Sequence, residues 1–206
     1  MTYPKLFDTI IALLEWYGTV RRKNTQPINQ RLLQDIWQPY DPDQYLVRES
    51  LIEHVWCLPI LATTIFPYIE DPRVDLWEAL TMLAIHDIWE LDVWDEIWFT
   101  KNETKHESKA AIARLHPLYH NYYHDIELQT SPSWKFAKSI DKIAPEFLDI
   151  MCGVDITIQR YAQHMGIGPN EIMPLKLSHK RKYMERNLYI LWFFEYVCER
   201  FDEILR

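Results

Sequence analysis

Glycine is scarce in this chain, four in 206 residues, and alternation of apolar and polar side chains is nowhere sustained. Apolar residues instead recur at spacings of three and four over long stretches, which predicts an all-α protein. Cysteine is equally sparse. Cys57, Cys152 and Cys198 are scattered and lack CxxC spacing, which excludes a disulfide framework or a thiolate zinc site and leaves them as small core residues. Positive charge is in deficit, with a formal net charge of -8 and a pI near 5.5. Without a long basic block the chain is not expected to grip nucleic acid through its phosphates, although a local positive pocket can still take a small anion. No run approaches the ~18 apolar residues of a membrane span, and the N-terminus MTYPKLFDTIIALLEW lacks the pattern of a secretory signal, so a cytoplasmic location is expected.

What the chain does have is apolar and aromatic mass, 48% and 14% of its residues. That is enough for one full core, and the whole of 1–206 is read as a single domain without repeats or low-complexity segments. About seven helices are expected. They run over Pro4–Arg22, Ile28–Trp37, Arg48–Tyr68, Val74–Glu90, Glu103–Glu127, Pro132–His164, and from after Pro174 to the end. Pro59 should kink or split the third of them.

The stretch TMLAIHDIWELDVWDE, residues 81–96, sets His86 and Asp87 at the end of an apolar run and follows them with Glu90, Asp92 and Asp95. Leu76, Leu80, Leu83 and Asp87 fall near one helical face, with His86 beside it, so the pair emerges where the buried side of the helix runs out. An imidazole and a carboxylate there are costly unless something satisfies them, and a divalent ion would do so. Two further residues share the predicament. His54, in RESLIEH, lies beside Val55, Trp56 and Leu58, and Asp141, in KSIDKIAP, interrupts the apolar positions Ile140, Ile143 and Ala144.

The order histidine, His-Asp pair, distant aspartate resembles the HD-domain superfamily of metal-dependent phosphohydrolases over about residues 46–150. Its 5′-deoxynucleotidase-like branch is the nearest in pattern. Three segments carry the likeness: Glu49-Ser50-Leu51-Ile52-Glu53-His54, then His86-Asp87-Ile88-Trp89-Glu90 leading to Asp95, then Lys138-Ser139-Ile140-Asp141-Lys142. The resemblance implies a single HD-type helical bundle in which His54, His86, Asp87 and Asp141 bind one divalent metal, and Glu90 and Asp95 position or deprotonate the attacking water. Two imidazoles and two carboxylates suit Mn, Co, Fe, Zn or Mg and do not discriminate among them. The expected reaction is metal-assisted hydrolysis of a phosphoester in a small phosphorylated substrate, most nearly a (deoxy)nucleoside 5′-monophosphate. Arg48, Lys101 and Lys142, close in sequence to the motif segments, are candidates to steady the phosphate. In two respects the sequence departs from the family. Trp94 stands where a glycine usually precedes the second acid, and the region before Tyr45, QPYDPDQ, has no counterpart of the family's substrate-discriminating arginine, so substrate identity does not transfer.

Tryptophan is frequent around the acids, at Trp89, Trp94 and Trp98, with Trp56 close to His54. Most of these rings read as core, and stacking of a base on Trp94 or Trp98 is the lesser reading. His116, His120 and His124 recur every four residues and would align on a continuous helix, which raises the alternative of a di-iron oxygenase on the same scaffold. Pro117 disturbs that alignment, so a second metal is disfavoured, and His106 is a weaker ligand candidate still. A third reading is a metal-stabilised binding module without catalysis. The C-terminal segment ERNLYILWFFEYVCERFDEIL is apolar on more than one face, so either it is central to the fold or part of it packs against another subunit, with a homodimer the favoured reading, and the preceding SHKRKYMER reads as a solvated helix start.

Overall fold

A computed structural model describes residues 2–8, 10–11, 51–87, 115–152 and 154–204. Among these residues every regular element is helical and no strand occurs, so the fold is all-α as expected. Helix α1 spans Leu51–Ile65 and closes in a 3-10 turn at Phe66–Tyr68, α2 spans Leu76–Ile85, and a second 3-10 turn at Pro117–Tyr119 leads into α3, His120–Leu128. The remaining helices are α4, Pro132–Cys152, α5, Val154–Met165, α6, Pro169–Met184, and α7, Leu188–Ile204. Residues 3–8 and 10–11 are also helical and bury Leu6, Phe7 and Ile10 in the same core.

The core faces follow helical spacing. Helix α1 buries Leu58, Leu61, Ala62 and Ile65, α2 buries Ala79, Met82 and Leu83, and α4 buries Trp134, Ala137, Ile140, Ile143, Ala144 and Phe147. These three helices pack on one another. Helix α2 starts at Asp75, whose side chain accepts from the Glu78 amide at 3.0 Å. Ser133 ties that start to α4: its hydroxyl accepts from the Asp75 amide at 3.0 Å and donates to Glu78 at 2.9 Å.

Several expected boundaries move. Pro59 does not split α1, which runs through it; the Pro59 carbonyl is taken up by the Thr63 hydroxyl at 2.7 Å. The expected Pro132–His164 helix is two elements, α4 and α5, with Gly153, a weak helix former, in the sequence between them. The last expected helix is likewise two. Pro174 lies inside α6 on its exposed side, where the carbonyl that lost a donor can meet water, and the real boundary is at Asn187, whose side chain accepts from the amides of Tyr189 and Ile190.

Helix α7 is central. It buries Ile190, Leu191, Phe193, Phe194, Val197 and Cys198 while Leu188 and Trp192 remain exposed. Of the four tryptophans expected to be mostly core, Trp56 is more than half exposed and Trp89, Trp94 and Trp98 lie outside the described residues; elsewhere Trp134 is core while Trp77 and Trp192 are more than half exposed. The basic run SHKRKYMER is also corrected. It forms the end of α6 rather than a helix start, and Lys180 within it is buried together with Lys176. Lys176 Nζ lies 2.5 Å from Glu146 and 2.6 Å from Asp149, Lys180 pairs with Glu146, and the Lys176 ammonium also lies 5.1 Å from the Tyr161 ring centroid. Burial inside such a network is tolerable because each charge meets an opposite one.

Candidate metal centre

His54 lies on α1, on the face that continues through Leu58, Leu61 and Ile65. His86 and Asp87 lie just past the end of α2, which terminates at Ile85, earlier than expected; His86 is the C-cap. Asp141 occupies the middle of α4 one turn from Ala137 and is itself buried. The three helices thereby bring His54, His86, Asp87 and Asp141 together, with one ligand atom from each, all within 4.8 Å of one another.

The individual distances suit one ion. His86 Nε2 is 2.9 Å from Asp87 Oδ2 and 3.4 Å from Asp141 Oδ1; His54 Nε2 is 3.6 and 3.4 Å from the same two oxygens. Ligands about 2.1 Å from a metal lie about 3 Å apart when adjacent and about 4.2 Å apart when opposite. The imidazole chemistry also fits. The Nδ1 of His86 lies 2.8 Å from the Leu83 carbonyl, an oxygen that can only accept, so Nδ1 carries the proton and Nε2 of the neutral ring presents a lone pair. That buried Nε2 makes no aligned hydrogen bond despite its short distance to Asp87. A lone pair facing two carboxylates calls for a cation.

Protonation shows the same demand in the metal-free protein. Burial disfavours the charged His86 ring, but the Asp141 and Asp87 carboxylates outweigh it and its pKa is pushed up to about 9. Burial raises the Asp87 pKa, yet His86 and Lys138 hold it below the usual carboxylate range. Asp141 is held much lower still, against its burial, by Lys138, Lys142 and the two histidines.

Asp141 divides its two oxygens. Oδ1 faces the imidazoles, while Oδ2 takes Lys138 at 2.7 Å and Lys142 at 3.1 Å. Lys138 received no role from the sequence, although it stands one helical turn before Asp141 in the quoted motif and an i, i+3 cation was the available signal. Its ammonium also lies 5.5 Å from the ring centroid of Trp134, which in turn lies 6.3 Å from that of the His86 ring. Lys142, a candidate from the sequence, is the more exposed of the two lysines.

The other candidates fall into two groups. Glu90, Asp95, Trp94, Arg48, Lys101 and His106 lie outside the described residues. The second histidine set does not converge: His116 caps the 3-10 turn by accepting from the Leu118 amide, His120 Nε2 lies 3.2 Å from the Leu115 carbonyl, and exposed His124 is 3.8 Å from Glu127. Pro117 begins a separate turn, so the three do not share one helix, and among the described residues one group alone has metal-holding geometry.

A family model described as HD domain matches residues 41–164, more than half of the chain. The chain belongs to the HD domain family. Searches of curated proteins and of solved structures returned no match. HD-domain membership brings with it a superfamily of metal-dependent phosphohydrolase type, and the His54, His86, Asp87 and Asp141 group is one that can hold the ion such chemistry needs. No helix among the described residues of this HD-domain protein is long and apolar enough to cross a membrane.

Proposed function

We propose that the protein is a metal-dependent phosphomonoesterase of the 5′-deoxynucleotidase-like branch, acting on a small phosphorylated substrate, most nearly a (deoxy)nucleoside 5′-monophosphate. The observation that carries the proposal is the convergence of two imidazoles and two carboxylates from three helices onto one point, with two lysine ammoniums on the outer oxygen of Asp141. A bound divalent ion would supply a Lewis acid for the phosphoryl oxygen and a lowered pKa for water.

The chain's own residues supply the rest. His86, its Nδ1 proton fixed on the Leu83 carbonyl, keeps Nε2 aimed at the centre, and Lys138 keeps the Asp141 carboxylate ionised and turned with Oδ1 inward. Lys142, on the same oxygen but more exposed, meets the phosphate of the substrate. Family resemblance assigns Glu90 and Asp95 to moving the proton from the attacking water and to the leaving oxygen. Arg48, Lys101 and Trp94 complete the substrate contacts in this reading. Exposed Leu188 and Trp192 on α7 support the accompanying proposal of a homodimer.

The test is a metal-by-substrate screen. Purified protein loaded with Mn, Co, Mg or Zn is offered deoxynucleotides, ribonucleotides, cyclic dinucleotides and general phosphatase substrates, with Asp87→Ala in parallel. Metal-dependent release of phosphate from a nucleoside monophosphate by the wild type, and its loss in the variant, is the expected outcome. Equal turnover by the two proteins would sink the proposal.

A further inference from the structure

The first turn of α4 is pinned to two neighbouring helices. Ser131, the residue before the helix, accepts from the Trp134 amide at 3.0 Å, and its own amide donates to Asp125 of α3 at 3.1 Å. Ser133 holds the start of α2 through Asp75 and Glu78. The backbone that carries Trp134 is thus fixed relative to both α2 and α3.

From that base the Trp134 side chain, almost wholly buried, reaches two parts of the metal centre: the Lys138 ammonium lies 5.5 Å from its ring centroid and the His86 ring 6.3 Å. Trp134, Lys138 and Asp141 follow one another at spacings of four and three, so they share one stripe of α4. Side chains on a helix lean toward its N-terminus, which carries Asp141 toward Lys138 and Lys138 toward Trp134. The indole N–H is buried and meets no hydrogen-bond acceptor among the described residues. Phenylalanine at this position would fill much of the same space without an unpaired donor. What the indole offers in return is the strongest aromatic face for a cation.

Where Lys138 is held matters for the ion. Its ammonium is 2.7 Å from Asp141 Oδ2, the outer oxygen, while Asp141 Oδ1 and Asp87 Oδ2 face the two imidazoles. A lysine ammonium on a flexible stem is drawn to the point where two carboxylates meet. Were it to pass from Oδ2 to Oδ1, it would stand where the four ligands converge. We infer that Trp134 is a positioning residue of the metal centre, whose ring face holds the Lys138 ammonium on the outer oxygen of Asp141 and so keeps an internal cation out of the place of the metal. The inference rests on the four-ligand centre and is independent of the substrate.

Calorimetric titration of the full-length metal-free protein with Mn and with Co tests this without turnover. Trp134→Leu should bind the ions about tenfold more weakly than the wild type, as loss of a group that supports a ligand from outside does. Trp134→Phe keeps a ring face and should stay within about threefold. Made on top of Lys138→Met, the same Trp134→Leu change should move Kd by less than about twofold, because no ammonium is left to hold. Phe136→Leu empties core space at a ring packed on Phe66 instead, and should leave Kd unchanged. Should Trp134→Leu fail to fold, Trp134→Met fills more of the space, lacks the ring face and carries the same expectation. Unaltered binding by the leucine or methionine variant, an equal loss in Trp134→Phe or Phe136→Leu, or an undiminished effect on the Lys138→Met background would each overturn the role. A wild type that binds neither ion overturns the centre and this role together, whereas a protein that binds metal but cleaves no phosphate ester overturns the proposed function alone.

Discussion

His86 and Lys138 are the residues on which the state of the metal-free centre turns. The His86 pKa, about 9 in the folded protein against about 6.5 unfolded, means that its imidazolium stabilises the fold fully below about pH 6.5 and that this contribution disappears as the pH rises through about 9. Asp87 and Asp141 act in the opposite sense: their depressed values give stability that is present above about pH 4 and lost as the pH falls through their folded pKa values. Urea denaturation of metal-free protein should therefore give a maximum between about pH 4 and 6.5 for this group, with a decline toward pH 9 of up to roughly 3 kcal/mol that His86→Gln removes. A flat profile from pH 6 to 9.5 in the wild type would contradict the assignment. Lys138→Met takes one of two ammoniums from a buried carboxylate, and it should cost the metal-free protein about 1–3 kcal/mol. A divalent ion should recover part of that deficit in the same denaturation assay, because it replaces the lost positive charge beside Asp141.

At the scale of elements, two kinds of polar contact hold helices in register, and their worth differs with burial. Asp75 caps an exposed helix start, so Asp75→Ala should cost about 1 kcal/mol. Glu146 lies fully buried between Lys176 and Lys180, joining α4 to α6, and Glu146→Ala takes from these two buried ammoniums the carboxylate that they share. The expected loss is on the order of 3–5 kcal/mol. Chemical denaturation of both variants checks the ordering, and an equal effect would mean that the α4–α6 network is not closed to water. The same elements explain which boundaries were legible. Asp75 before an apolar run announces a helix start, whereas the start at Pro169 was missed and Pro174 read as a break, because a sequence does not state that the missing hydrogen bond of Pro174 would fall on an exposed side.

For the molecule as a whole, the centre joins α1, α2 and α4 at positions far apart along the chain, and those helices also share the apolar core. An ion bound there binds the folded state alone and must raise its stability by mass action, about 2.7 kcal/mol at a concentration a hundred times Kd. Thermal melts should show Tm rising with Mn or Co and falling with a chelator, and Asp87→Ala should lose the response. Unchanged melting of the wild type across that range would deny the four side chains a common ion.

The sequence by itself determined the helical class, because an apolar period is local, and it marked polar groups standing where that period demands apolar ones; the grouping of His54, His86, Asp87 and Asp141 came from the family resemblance, and the fold brings those four together. His54 and Asp141 betray themselves in this way, each in line with a buried stripe. Only the tertiary structure decided what stands opposite what. That Lys138 shares Asp141 with Lys142, and that Lys180 is buried while Arg181 beside it is not, depend on how α4 faces the helices around it. A lysine reads alike in any exposed helix; its role is fixed by the carboxylate, ring or second lysine that packing brings to it from elsewhere in the chain.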